Sequence, residues 1–209
     1  MFRGAMDLTR ADFVPPNFSA PIDLAAQKRL VPRGATVKGM QLQGIVDECA
    51  RRGAPLEGRR YVGFRDYSGE ELLDLLVLAA ERAWPKVPRR EGLRRLGRVA
   101  YPTLRESMVG RVIFAAFGGD VKNVWSLVKK GYSLSASTGS AAAIEIGDHE
   151  VVVRFEGIYS FVDAWHVGIM EGAVQVYGLA PDVLVKTTGP MSADLWIRWE
   201  GDMDPAQLA

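Results

Sequence analysis

The sequence predicts an α+β fold in which an N-terminal helical region packs on a C-terminal antiparallel β-β-α-β-β unit. Apolar residues recur at helical spacing from about residue 36 to residue 131. After Gly131 the pattern changes to alternation, in short segments. One apolar helical stretch, from about Val162 to Val176, divides those segments, with a hairpin on either side of it. Layering helices on a sheet buries both apolar faces at once.

Residues 1–34 are expected to form an extended arm, because Pro15, Pro16, Pro21 and Pro32 disfavour regular structure. Phe2, Phe13 and Phe18 are candidates to pin it to the body. Residues 35–209 are read as one domain, with a helical part over 35–131 and the β-β-α-β-β part over 132–209. Within it a first helix spans about Thr36 to Arg52, with Val37, Met40, Leu42, Ile45, Val46 and Cys49 on one face and Gly53 as its stop. Ser68 and Glu71 have capping-box spacing and open a second helix to about Trp84, before Pro85. A long basic helical region covers 89–117, kinked or split at Pro102 and closed by Gly118–Gly119. Asp120 is the cap of the next helix.

Strands are expected in YSLSAST, AAIEIG and HEVVVRFEG, with a turn at Gly147–Asp148. A second hairpin turns through Gly189–Pro190. Leu195, Ile197 and Trp199 alternate with polar residues, as a half-buried strand requires.

Charge is sorted along the chain although its total is +1. Residues 86–132 carry 11 Lys/Arg and 3 Asp/Glu, whereas residues 133–209 carry 3 and 11. Such sorting can orient a protein partner, focus an anion or dock two copies of the chain. The composition, 48% hydrophobic and 24% charged, is that of a folded soluble protein. A lone cysteine, Cys49, leaves no disulfide framework. No stretch has the length of a membrane span or a signal peptide, and a cytoplasmic location is the expectation.

The stretches VKGMQLQGIVD, FRDYSGEELLDLL, LRRLGRVAYPTLRESMVGRVIFA and HVGIMEGAVQVYG, between about residues 36 and 200, resemble an uncharacterised paralogous family abundant in myxobacteria. The helix carrying Gly168 and Gly172 is more weakly similar to a wider group. That group includes haem-dependent nitric-oxide sensor domains, four-vinyl-reductase domains and transport-particle subunits. The resemblance implies helices followed by a β-β-α-β-β unit. The haem sensors use a helical histidine and a Tyr-x-Ser-x-Arg motif. Here the nearest stretch is Tyr132-Ser133-Leu134-Ser135-Ala136, and the basic middle region has no histidine. Neither haem nor a cysteine-bound metal is therefore expected, and no cofactor is assigned.

No phosphate-loop or dinucleotide motif is present; TGSAAA continues into a strand pattern and reads as a turn. Asp194, Glu200, Asp202 and Asp204 lack metal-loop spacing and read as a solvated edge and tail. His149 reads as a turn residue. His166 lies three residues after Asp163 and five before Glu171, so an enzyme using His166 with either carboxylate is one reading. Arg90, Arg94, Arg95 and Arg98 form a row suited to anions or a partner, and nucleic-acid binding through Arg90, Arg94 and Arg98 is another reading. Val109, Ile113, Phe114, Trp125, Phe155, Tyr159, Phe161, Trp165 and His166 are candidates for an apolar pocket wall or for the core. The leading expectation is a non-enzymatic regulatory or scaffold module. It has a protein-interaction face, toward a partner or a second copy, and room for a hydrophobic small molecule.

Overall fold

The computed structural model describes residues 8–106 and 120–202. The architecture is the expected α+β arrangement. The elements are α1 (Leu24–Arg29), β1 (Thr36–Lys38), α2 (Gly39–Arg51), β2 (Asp66–Ser68), α3 (Gly69–Ala83) and α4 (Arg89–Glu106). After them come α5 (Val121–Ser135), β3 (Ser140–Ile146), β4 (Glu150–Glu156), α6 (Trp165–Gln175), β5 (Leu179–Gly189) and β6 (Ser192–Asp202). The four long strands form an antiparallel sheet in the order β3-β4-β6-β5.

Local chemistry sets the element ends. Ser68 Oγ accepts from the Glu71 N–H at 3.1 Å, capping α3. Asp120 accepts from the Lys122 N–H at 2.9 Å and opens α5. At the β3–β4 turn the Gly147 N–H donates to the Glu150 carbonyl at 2.8 Å. Several expectations need correction. Residues 36–38 are a strand, not the first turn of α2, because they pair with β2. Tyr132–Ser135 continue α5 rather than starting a strand; the apolar face of that helix runs on past Gly131. The Pro-rich arm is not extended throughout, since Asp23 caps the short helix α1. Beyond Glu106, the rest of the predicted 89–117 helix and its Gly118–Gly119 stop lie outside the described residues, as does Phe2.

Two apolar clusters fill the interior. Leu42, Cys49, Leu73, Leu76, Leu93 and Leu96 anchor one among the helices. Trp125, Val153, Phe155, Leu195 and Ile197 anchor the other, between α5, α6 and the sheet. Phe18 and Ile169 pack against both. Buried along nearly its whole length, α6 is the central element. It touches α4 across a glycine seam: a Cβ added at Gly168 would sit 1.9 Å from the Arg94 carbonyl oxygen, and one at Gly172 would sit 2.2 Å from that of Arg98. Gly97 of α4 faces the Trp165 carbonyl as closely, at 2.2 Å.

The second face of the sheet is covered in part. Phe13 is buried and sets its ring edge-on to Trp196, with centroids 5.2 Å apart. Val14 bridges to Val185 of edge strand β5, and Asp12 pairs with Lys186 at 2.8 Å. On the same face, Asp194 is buried against Arg154 in a two-point ion pair at 2.8 Å, rather than lying in a solvated edge. Cross-strand register places those two residues opposite each other, a relation that strand alternation alone does not reveal.

Candidate functional site

Between the helices and the sheet lies a cavity of about 620 Å³. Its walls follow from the elements already described. From its middle onward α4 supplies Leu96, Val99, Ala100 and Thr103. Along α5, Val124, Trp125, Val128 and Tyr132 face it, and α2 closes one side with Met40, Gln41, Gly44 and Ile45. The floor is Ala141 and Phe155 of the sheet with His166, Ile169, Met170 and Ala173 of α6. Polar groups are few. The cavity opens where Lys130, Gly131 and Leu134 of α5 are exposed.

The sequence candidates Trp125, Phe155, Trp165 and His166 all line this cavity. Tyr159 lines it as well, while Phe161 packs into the helical core. Val109, Ile113 and Phe114 lie outside the described residues. The α2 residues carried no pocket signal in the sequence, where Met40 and Ile45 read simply as a core face.

His166 is 4% exposed. Its ring lies 5.1 Å from Phe155 and 6.3 Å from Tyr132, centroid to centroid. Burial pushes its pKa down to about 4, against a smaller opposing pull from the carbonyls of Ser160 and Phe161. Those carbonyls give Nδ1 no well-formed hydrogen bond. The imidazole is thus neutral at physiological pH. Burial likewise raises the pKa of Tyr132, whose hydroxyl donates to the Thr138 carbonyl at 3.0 Å.

The carboxylates that sequence spacing offered to His166 go elsewhere. Asp163 precedes the first turn of α6, so the helical i, i+3 relation does not apply, and it pairs with Arg90. Glu171 faces α4, where Arg94 grips both of its oxygens at 2.7–2.9 Å and Arg98 Nε holds one at 2.6 Å. The enzyme reading therefore loses both of its proposed proton partners. The arginine row is engaged in the same way. Arg94 and Arg95 also pair with Glu91, and Phe18 of the arm lies 4.7 Å beneath the Arg94 guanidinium. Cys49 is buried, and desolvation raises its thiol pKa to about 11, so it is no nucleophile. Among the described residues no group of three or more His, Cys, Asp or Glu is placed to hold a metal. No helix among them is long and apolar enough to cross a membrane.

The fold is similar to that of solved H-NOX domains. An H-NOX protein from S. oneidensis in the Fe(II)NO state superposes with a TM-score of 0.62 at 14% identity, over 78% of this chain and 99% of that one. The Fe(II) unliganded H-NOX protein from K. algicida gives 0.59 at 14% identity, over 80% and 98%. An oxygen-binding H-NOX domain related to soluble guanylate cyclases gives 0.55 at 14% identity, over 79% and 94%. At such identity the likeness is one of fold. Residues 30–200 match the family model described as protein of unknown function (DUF2378), and the chain belongs to that family. No curated protein matches it in sequence.

Proposed function

We propose that this protein is a non-enzymatic regulatory module whose cavity takes an uncharged, apolar small molecule or molecular segment. The observation that carries this reading is the apolar cavity of about 620 Å³ at the centre of a sensor-type fold. Binding there touches α2, α4, α5 and α6 together, so occupancy can bias how these elements pack. A protein-interaction face on the outer row of α4 belongs to the same proposal, with a cytoplasmic setting. On that row Arg95 keeps 40% of its side-chain surface, whereas Glu171 meets Arg94 and Arg98.

Haem does not suit the residues present. Leu134 and Ala136 occupy the serine and arginine places of the Tyr-x-Ser-x-Arg pattern. The hydroxyls of Tyr132, Ser133 and Ser135 donate to nearby carbonyls. Among the described lining residues Lys130 is the single cation, a poor match for two propionates, and the single imidazole is on α6 with its Nδ1 unpartnered.

The test is titration with N-phenyl-1-naphthylamine, a neutral dye that fluoresces in apolar surroundings. Saturable binding at one site is expected, and Ala173→Phe, which fills the floor, should remove it while the protein stays folded by circular dichroism. Absence of saturable binding to the folded wild type overturns the proposal.

A further inference from the structure

We infer that the natural ligand is an amphiphile with an anionic head, its uncharged body inside the cavity and its head at Lys130. The inference rests on the cavity reading above and adds the ligand's chemistry. Below the mouth the described lining residues offer no counter-charge: His166 is neutral there, and the rest are apolar or uncharged. An ion buried without a counter-charge costs several kcal/mol. A charged group must therefore stop at the opening.

At the opening the chemistry changes. Lys130 is the single charged side chain among the described lining residues, it is exposed, and no carboxylate among the described residues pairs with it. Arg90, Arg94, Arg95, Arg98 and Lys122 of the basic segment are matched by carboxylates. Lys129, next to Lys130, is exposed as well but does not line the cavity; what distinguishes Lys130 is its place at the rim, beside Leu134, an exposed apolar residue that also lines the cavity. An apolar passage ending at an unmatched ammonium suits a long-chain carboxylate or another single-headed anionic lipid.

The experiment compares cis-parinaric acid, a fluorescent fatty acid, with its uncharged methyl ester. Trp125 and Trp165 stand in the cavity wall, so energy transfer from tryptophan to the polyene reports binding there. The acid should bind wild type about fivefold or more tighter than it binds Lys130→Glu, with the gap narrowing at high salt. The ester should bind both proteins within about twofold. Lys130 is exposed, so the substitution leaves the fold intact. Equal loss or equal retention of acid and ester in Lys130→Glu overturns the head-group assignment and leaves the apolar-cavity reading standing. Failure of acid, ester and the neutral dye alike to bind wild type overturns both.

Discussion

His166 shows how a single residue reports its surroundings. Its pKa falls from 6.5 to about 4 on folding because burial disfavours the imidazolium. Between those values the unfolded chain binds one more proton than the folded one, so stability is full above pH 6.5 and falls as the pH drops toward 4. The loss should reach roughly 3 kcal/mol at the acid end. Urea unfolding at pH 7.5, 5.5 and 4.5 measures it. His166→Leu should lack this portion of the acid sensitivity, and a slope identical to wild type would contradict the burial account. In sequence, His166 was visible as a candidate, but its isolation was not. Three-residue spacing suggested a partnership with Asp163, and only the helix start at Trp165 shows why that pairing fails.

At the scale of elements, the α4–α6 contact joins backbone to backbone and is locked by charge. Gly168→Ala would drive a methyl group onto the Arg94 carbonyl, and the helices must separate to admit it. Overpacking of this kind costs about 1–3 kcal/mol. Gly131, mid-helix in α5 with open space around it, makes the opposite prediction: Gly131→Ala should stabilise by about 0.5–1 kcal/mol. Thermal melts of the two variants should shift in opposite directions. Glu171→Gln removes the charge shared by Arg94 and Arg98 while Glu171 itself is 4% exposed. Partial exposure of the two arginines softens the penalty, and a loss of roughly 2–3 kcal/mol in a urea titration is expected. The helices and the long hairpins were legible because their periods span many residues. The two three-residue strands β1 and β2 were not, since neither has enough length to show a period and their pairing joins residues from separate loops.

Across the whole molecule, the sorted charge is answered in part within the fold. Basic residues of 86–132 meet acids of 133–209 at Arg90–Asp163, Arg94–Glu171, Arg98–Glu171 and Lys122–Asp148. The sorting was plain in the sequence; its destination was not, because a count along the chain contains no geometry. The arm depends on long-range contact in the same way. Phe13→Ala should cost about 3 kcal/mol and expose Trp196, giving a red-shifted tryptophan emission. An unchanged spectrum and stability would mean that the arm does not hold to the sheet in solution.

That arm also sets an order of events. Asp12 and its partner Lys186 are 174 residues apart. At ordinary rates of synthesis the first waits roughly 10–30 s for the second to be made. During that interval Phe13 has no aromatic seat and the margin of the future β5 does not yet exist. The N-terminal segment is therefore made early and secured late, and any factor that engages it on the ribosome competes with the closing step of the fold.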